Sequence, residues 1–211
     1  MRQLSRRYAI AGVVVAAGLA GLIARAEALA PTGLQHQVIG AAAPDFAAQG
    51  ADGQTHRLSD YRGKTIVLEW TSPVCEFTAR KYGSGAMQAL QREARERGVV
   101  WLSVNTAGRN RLGFMAGEKA LQRVEKTGAT VTAFLLDSGG DVGLLYGAKT
   151  TPSFVIVQRD GRLAYQGAMD DNSGDDGTHA HNYVRAALRE LGAGRPVTVA
   201  ETRPYGCAVE Y

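Results

Sequence analysis

The chain has 211 residues, long enough for one domain with a real core, and 24 Lys and Arg against 20 Asp and Glu give it a formal charge of +4. Residues 1–30 hold Arg2, Arg6, Arg7 and Arg25 against Glu27, so they carry +3 of that charge and the remainder is nearly neutral. Bulk charge therefore gives no reason to expect a nucleic-acid partner.

Taken in chain order, the first element is a leader. A positive head ending at Arg7 precedes an apolar run from Ala9 to Ala24, and the small residues Ala26, Ala28 and Ala30 are spaced as a signal peptidase reads them. The apolar run is shorter than the ~20 residues that span a bilayer, so removal is expected and no stable membrane insertion afterwards. Ser5-Arg6-Arg7-Tyr8-Ala9-Ile10 is similar to a twin-arginine export signal, with Ala9 where that pattern usually carries Phe. An ordinary signal whose head contains two arginines is the alternative, and Pro31 hinders cleavage directly after Ala30. Either route predicts an exported, periplasmic protein.

Residues 31–43 read as an irregular lead-in, and Asp52-Gly53 predicts a hairpin turn. Lys64–Trp70 and Val99–Val104 are short apolar runs rich in β-branched residues, the pattern of buried strands. Between them Cys75–Arg97 reads as one helix, stopped by Gly98. Gly117–Lys126 is the next helix, Val131–Leu136 a strand and Asp141–Tyr146 a short helix. Ser153–Val157 and Arg162–Gln166 are strands joined at Asp160-Gly161, and His179–Leu191 is the last helix. This order predicts an α/β domain, a central mixed sheet with helices on both faces, over residues 31–192. Residues 193–211 form a tail expected to move.

Three motifs carry a family resemblance. Val67-Leu68-Glu69-Trp70 leads through Thr71-Ser72-Pro73-Val74 to Cys75-Glu76-Phe77-Thr78, which resembles the active-site turn of thioredoxins with Cys75 as nucleophile. Tyr146-Gly147 through Thr151-Pro152-Ser153-Phe154 resembles that family's cis-proline loop, and Ala43-Pro44-Asp45-Phe46 the opening of the redoxin branch. The likeness covers about residues 40–192 and implies a thioredoxin-like fold. Thr78 stands where thioredoxins have a second cysteine, so a local disulfide is impossible. Ser72-x-x-Cys75 is closer to a peroxiredoxin, yet no peroxide-orienting arginine can be assigned.

A thiol attacks as its thiolate, and a helix N-terminus beside Cys75 favours that form. Arg80 and Lys81 are expected to add to the effect and Glu76 to oppose it, while the hydroxyls of Ser72 and Thr78 are placed to hydrogen-bond the thiolate. The resemblance implies a buried, proton-moving acid at Glu69, against the plainer reading of a solvated carboxylate. It likewise implies that Thr151, before Pro152, turns its backbone toward the cysteine to pair with a substrate chain.

Cys207 has three open roles: a resolving cysteine that attacks oxidised Cys75, a permanent disulfide partner, or a thiol that pairs between chains. The reading that follows is an exported thiol–disulfide oxidoreductase with Cys75 and Cys207 as its redox pair. Its substrate is a protein or small-molecule disulfide, or a peroxide, and its electron donor an unidentified thiol. A non-enzymatic binding module with a structural disulfide is the alternative, and a metal carrier a weaker one. No cofactor is implied. His179 and His181 lack a third ligand, so no metal site is expected, and Asp170, Asp171, Asp175 and Asp176 read as a solvated turn.

Overall fold

A computed structural model describes residues 33–172 and 181–211. The expected leader, Asp175, Asp176 and His179 lie outside the described residues. The apolar runs form the centre of a seven-stranded sheet. Strands β1 (Ala47–Gly50), β2 (Thr55–Arg57), β3 (Ile66–Trp70), β4 (Val100–Asn105) and β5 (Ala133–Leu136) precede a two-residue strand, β6 (Thr150–Thr151). Then come β7 (Ser153–Val157), β8 (Leu163–Gly167) and, at the C-terminus, β9 (Cys207–Ala208). The order is β2-β1-β5-β4-β3-β7-β8, with β3, β4 and β5 parallel and the remaining pairs antiparallel. Every residue of β3, β4 and β7 is buried, as expected of strands covered on both faces. Both hairpin expectations hold: Gln49 faces Thr55 across the Asp52-Gly53 turn, and Val157 faces Leu163 across Asp160-Gly161.

The helix expected over Cys75–Arg97 is two helices, α1 (Glu76–Gly83) and α2 (Ala86–Glu96). Gly85 adopts φ 81°, which side-chain-bearing residues rarely enter, and Ser84 accepts from the Ala86 N–H while donating to the Lys81 carbonyl. Helix propensity favours continuation, and Gly83-Ser84-Gly85 overrides it. Further helices are α3 (Gly117–Thr127), α4 (Asp141–Leu145) and α5 (Tyr183–Gly192). Ile66, Leu68 and Trp70 face one side, where Leu58, Val142 and Tyr146 cover them. Val67 packs on the opposite side with Trp101, Phe154 and Ile156, beneath Met87 and Leu90 of α2 and Val184 and Leu188 of α5.

The C-terminal segment is docked rather than loose. Beyond α5 the chain returns along β8, with the Gln166 N–H donating to Ala200 and the Thr202 N–H to Gln166. It then crosses to β6, against which β9 pairs antiparallel. Asp170, expected in a solvated turn, is 1% exposed and lies against Lys81 of α1, itself 2% exposed, with Nζ 2.9 Å from Oδ2. Lys81 also donates to the Asn172 carbonyl at 3.0 Å, and the Tyr205 hydroxyl donates to Asp170. Sequence spacing could not reveal this pair, whose members are 89 residues apart.

A buried ion pair contributes little net energy, but stranding one partner is costly. Lys81→Met is therefore expected to lower unfolding stability by about 3–5 kcal/mol. Lys81→Met with Asp170→Leu should recover at least half of that loss, read by urea unfolding of the two variants beside the parent chain.

Candidate active site at the strand-to-helix turn

Cys75 is the N-cap residue of α1, four residues of turn (71–74) beyond the end of β3, and its backbone (φ −84°, ψ 118°) is still extended. Its carbonyl accepts the first bond of the helix, from the Ala79 N–H at 2.9 Å. The residue is 1% exposed, whereas Val74 beside it is 55% exposed. Cys75 is joined to Cys207 across 132 residues, with Cα atoms 5.7 Å apart. The Cys75 sulfur also lies 2.9 Å from the carbonyl oxygen of Thr151. The Thr151–Pro152 peptide is cis. Cys207 faces Thr151 across the β6–β9 pair. Cys75, Cys207, Thr151 and Pro152, far apart in the chain, thus meet at one point.

The flanking charges act differently from expectation. Arg80 pairs with Glu76 at 3.3 Å and lies over the Phe77 ring, and Lys81 is turned to Asp170. Both cations are thus engaged elsewhere, while Cys75 itself sits at the N-terminus of α1. Ser72 Oγ accepts from the Val74 N–H at 3.4 Å. Thr78 is wholly buried, and its hydroxyl has no hydrogen-bond partner among the described residues.

Glu69 lies on the same strand, fully buried on the α2 side of the sheet. The plainer reading of a solvated carboxylate therefore fails. Four donors converge on it: Trp101 Nε1 at 2.7 Å, Ser103 Oγ at 2.8 Å, Tyr82 Oη at 2.9 Å and Gln91 Nε2 at 3.2 Å. Burial holds its carboxyl above the usual range, while the bonds from Trp101, Ser103, Tyr82 and Gln91 pull it back. Tyr82 stays a donor, because burial and then the Glu69 charge raise its hydroxyl well above the ordinary value.

The AhpC/TSA family model matches residues 39–166. The chain belongs to the AhpC/TSA family. The chain is 30% identical over 125 residues to thiol-disulfide oxidoreductase ResA of Geobacillus thermodenitrificans, covering 59% of this chain and 66% of that protein. The match thus spans just under two-thirds of the relative. A crystal structure of an uncharacterized conserved protein from Geobacillus kaustophilus superposes with a TM-score of 0.74 at 26% identity, over 85% of this chain and 95% of the other. The thioredoxin domain of a thiol-disulfide oxidoreductase from Bacteroides vulgatus superposes with a TM-score of 0.50 at 17% identity, over 67% and 93%. The fold is thioredoxin-like, as the three motifs imply.

Sequence reasoning missed the four donors around Glu69 and the Lys81–Asp170–Tyr205 cluster. A signal for the first existed, since a lone carboxylate inside the apolar run KTIVLEW must find partners. Tyr205 carried none.

Because the folded chain holds the Glu69 proton more tightly than the unfolded chain, its contribution is complete below the ordinary value of 4.5. It is lost as pH rises through the raised folded value. Glu69→Gln cannot ionise and removes that decline. Urea unfolding from pH 4 to pH 8 is expected to show the Gln variant gaining on the parent as pH increases.

Proposed function

We propose that this chain is an exported thiol–disulfide oxidoreductase in which Cys75 is the nucleophile and Cys207 the resolving cysteine. The observation that carries the reading is the disulfide between a helix N-cap cysteine and a cysteine on a strand paired with Thr151. Export is supported by the leader pattern of residues 1–30. Among the described residues no helix is long and apolar enough to cross a membrane.

The Cys75 thiolate attacks one sulfur of a substrate disulfide, forming a mixed disulfide and releasing the first substrate thiolate. The Cys207 thiolate then attacks the Cys75 sulfur, forming Cys75–Cys207 and releasing the second. Two electrons leave the chain, and the substrate thiolates take up protons. A dithiol donor restores the reduced form. In the oxidised chain Cys75 is buried while Cys207 keeps part of its surface, so the donor thiolate attacks Cys207 and Cys75 leaves as thiolate. The docked segment holds Cys207 at high effective concentration near Cys75, which favours the disulfide and makes the reduced chain an electron donor. A polypeptide disulfide is favoured over a peroxide by the backbone edge at Thr150–Thr151 and the exposed Val74 beside the thiol.

A permanent structural disulfide is the second reading. The many contacts of the docked segment favour it, as does the closure of so long a loop, worth about 5 kcal/mol in the chain-entropy model. The Cys75–Cys207 reduction potential separates the two. An oxidoreductase of this type should equilibrate near thioredoxin, at about −270 mV. Its reduced form should turn over a model protein disulfide faster than hydrogen peroxide. Cys75→Ser should abolish turnover, and Cys207→Ser should stall with the substrate bound to Cys75. A bond that glutathione and dithiols fail to reduce, with no turnover after forced reduction, sinks the proposal. Faster oxidation by peroxide reassigns the substrate.

The Thr78 hydroxyl, without a hydrogen-bond partner among the described residues of the oxidised chain, is the donor we assign to the Cys75 thiolate. Thr78→Val should move the pH dependence of Cys75 alkylation to higher pH, read in the Cys207→Ser background. Stability of the oxidised chain should not fall, because among the described residues no hydrogen bond of that hydroxyl is lost.

A further inference from the structure

Strand β6 is short and peripheral, and its backbone pairs with a single strand among the described residues, β9 of the same chain. Thr150 faces Ala208 and Thr151 faces Cys207, and the Val209 N–H extends the ladder to the Lys149 carbonyl at 3.0 Å. With β9 undocked, a row of unpaired donors and acceptors would stand beside the Cys75 sulfur. Such an edge takes up any extended segment whose side chains fit.

Fit is decided at Gly206. Its φ of 143° lies where side-chain-bearing residues are strained, and a Cβ there would overlap the Thr151 carbonyl oxygen and come within 3.2 Å of Pro152 N. Non-covalent contacts hold the segment on both sides of this point. Upstream, the Tyr205 hydroxyl donates to Asp170 and, at 2.9 Å, to the Asn172 carbonyl, while its ring packs on Phe77. Downstream, Glu210 accepts from the Gly113 N–H at 2.7 Å and the Tyr211 hydroxyl donates to the Ala148 carbonyl at 2.6 Å.

We propose that residues 205–210 are an internal competitor for the β6 edge, and that an extended, cysteine-bearing polypeptide gains the edge by displacing them once Cys75–Cys207 is reduced. A polypeptide in the same register needs glycine immediately before its cysteine. The inference rests on the oxidoreductase reading and adds what occupies the edge and which segments can replace it.

The test uses full-length, reduced Cys207→Ser protein, in which the covalent link is absent and only docking protects Cys75. Two probes are compared: a small aromatic disulfide, and a synthetic peptide of residues 203–211 with its cysteine activated by an aromatic thiol. Adding Gly206→Ala to the protein should accelerate both reactions about tenfold, because the competitor no longer fits. The same glycine-to-alanine change in the peptide should slow the peptide about tenfold against the Gly206→Ala protein. Equal rates with and without Gly206→Ala overturn the competitor while leaving a reactive Cys75 and the oxidoreductase reading intact. A peptide indifferent to its glycine overturns the register. Protection of Cys75 that grows with protein concentration assigns the occupant to a second copy and overturns an intrachain competitor. A Cys75 inert in both proteins overturns the oxidoreductase reading itself, and the inference with it.

Discussion

Buried backbone must find hydrogen-bond partners, and in this chain that requirement bears on the partly buried Thr150 and the buried Thr151. They lie outside the seven-stranded sheet, in the turn that enters β7, and Thr151 is almost wholly buried against the Cys75 sulfur. Among the described residues β6 pairs with no strand of the main sheet, and its strand partner comes from the C-terminal segment. That pairing brings Cys207 to Cys75 over 132 residues and makes the C-terminal segment part of the site. It also explains why the segment is ordered along its length, from Thr202 on the edge of β8 to Tyr211 against Ala148.

The two sides of the cysteine differ physically. Behind it, Glu69 is fixed in the apolar interior by donors from α1, α2 and β4, a cluster in which each member needs the others. In front of it lie a two-residue strand pair and a few hydrogen bonds nearer solvent. A rigid back and a lightly held cover are what the proposed exchange asks of the site, since in it one sulfur meets two partners in turn. The Lys81–Asp170 pair joins these sides, since Lys81 belongs to the helix that Cys75 opens and Asp170 accepts from Tyr205, two residues before Cys207.

Much of this was legible in the amino-acid sequence. Apolar β-branched runs marked β3, β4 and β7, the Asp-Gly pairs marked two hairpins, and the position of Cys75 between strand and helix marked the candidate site. Those signals are local, carried by residues within one turn or one strand of each other. The reading failed where a local preference was outweighed: good helix formers on both sides hid the break at Gly85, and turn-like composition hid the burial of Asp170.

What the sequence by itself determined was the sheet, the family-like motifs and the identity of the two cysteines, because strand period, turn chemistry and residue type are written in neighbouring positions. What only the tertiary structure decided was the placement of the last residues and the burial of Glu69. The segment after α5 has Pro, Gly and few apolar residues, and in isolation nothing tells a docked strand from a free end. Its partners are backbone groups of Thr150 and Thr151, which carry no sequence signature. Hydrogen bonds to main chain are available to any residue, so only their geometry in the folded molecule could show where the chain ends its path.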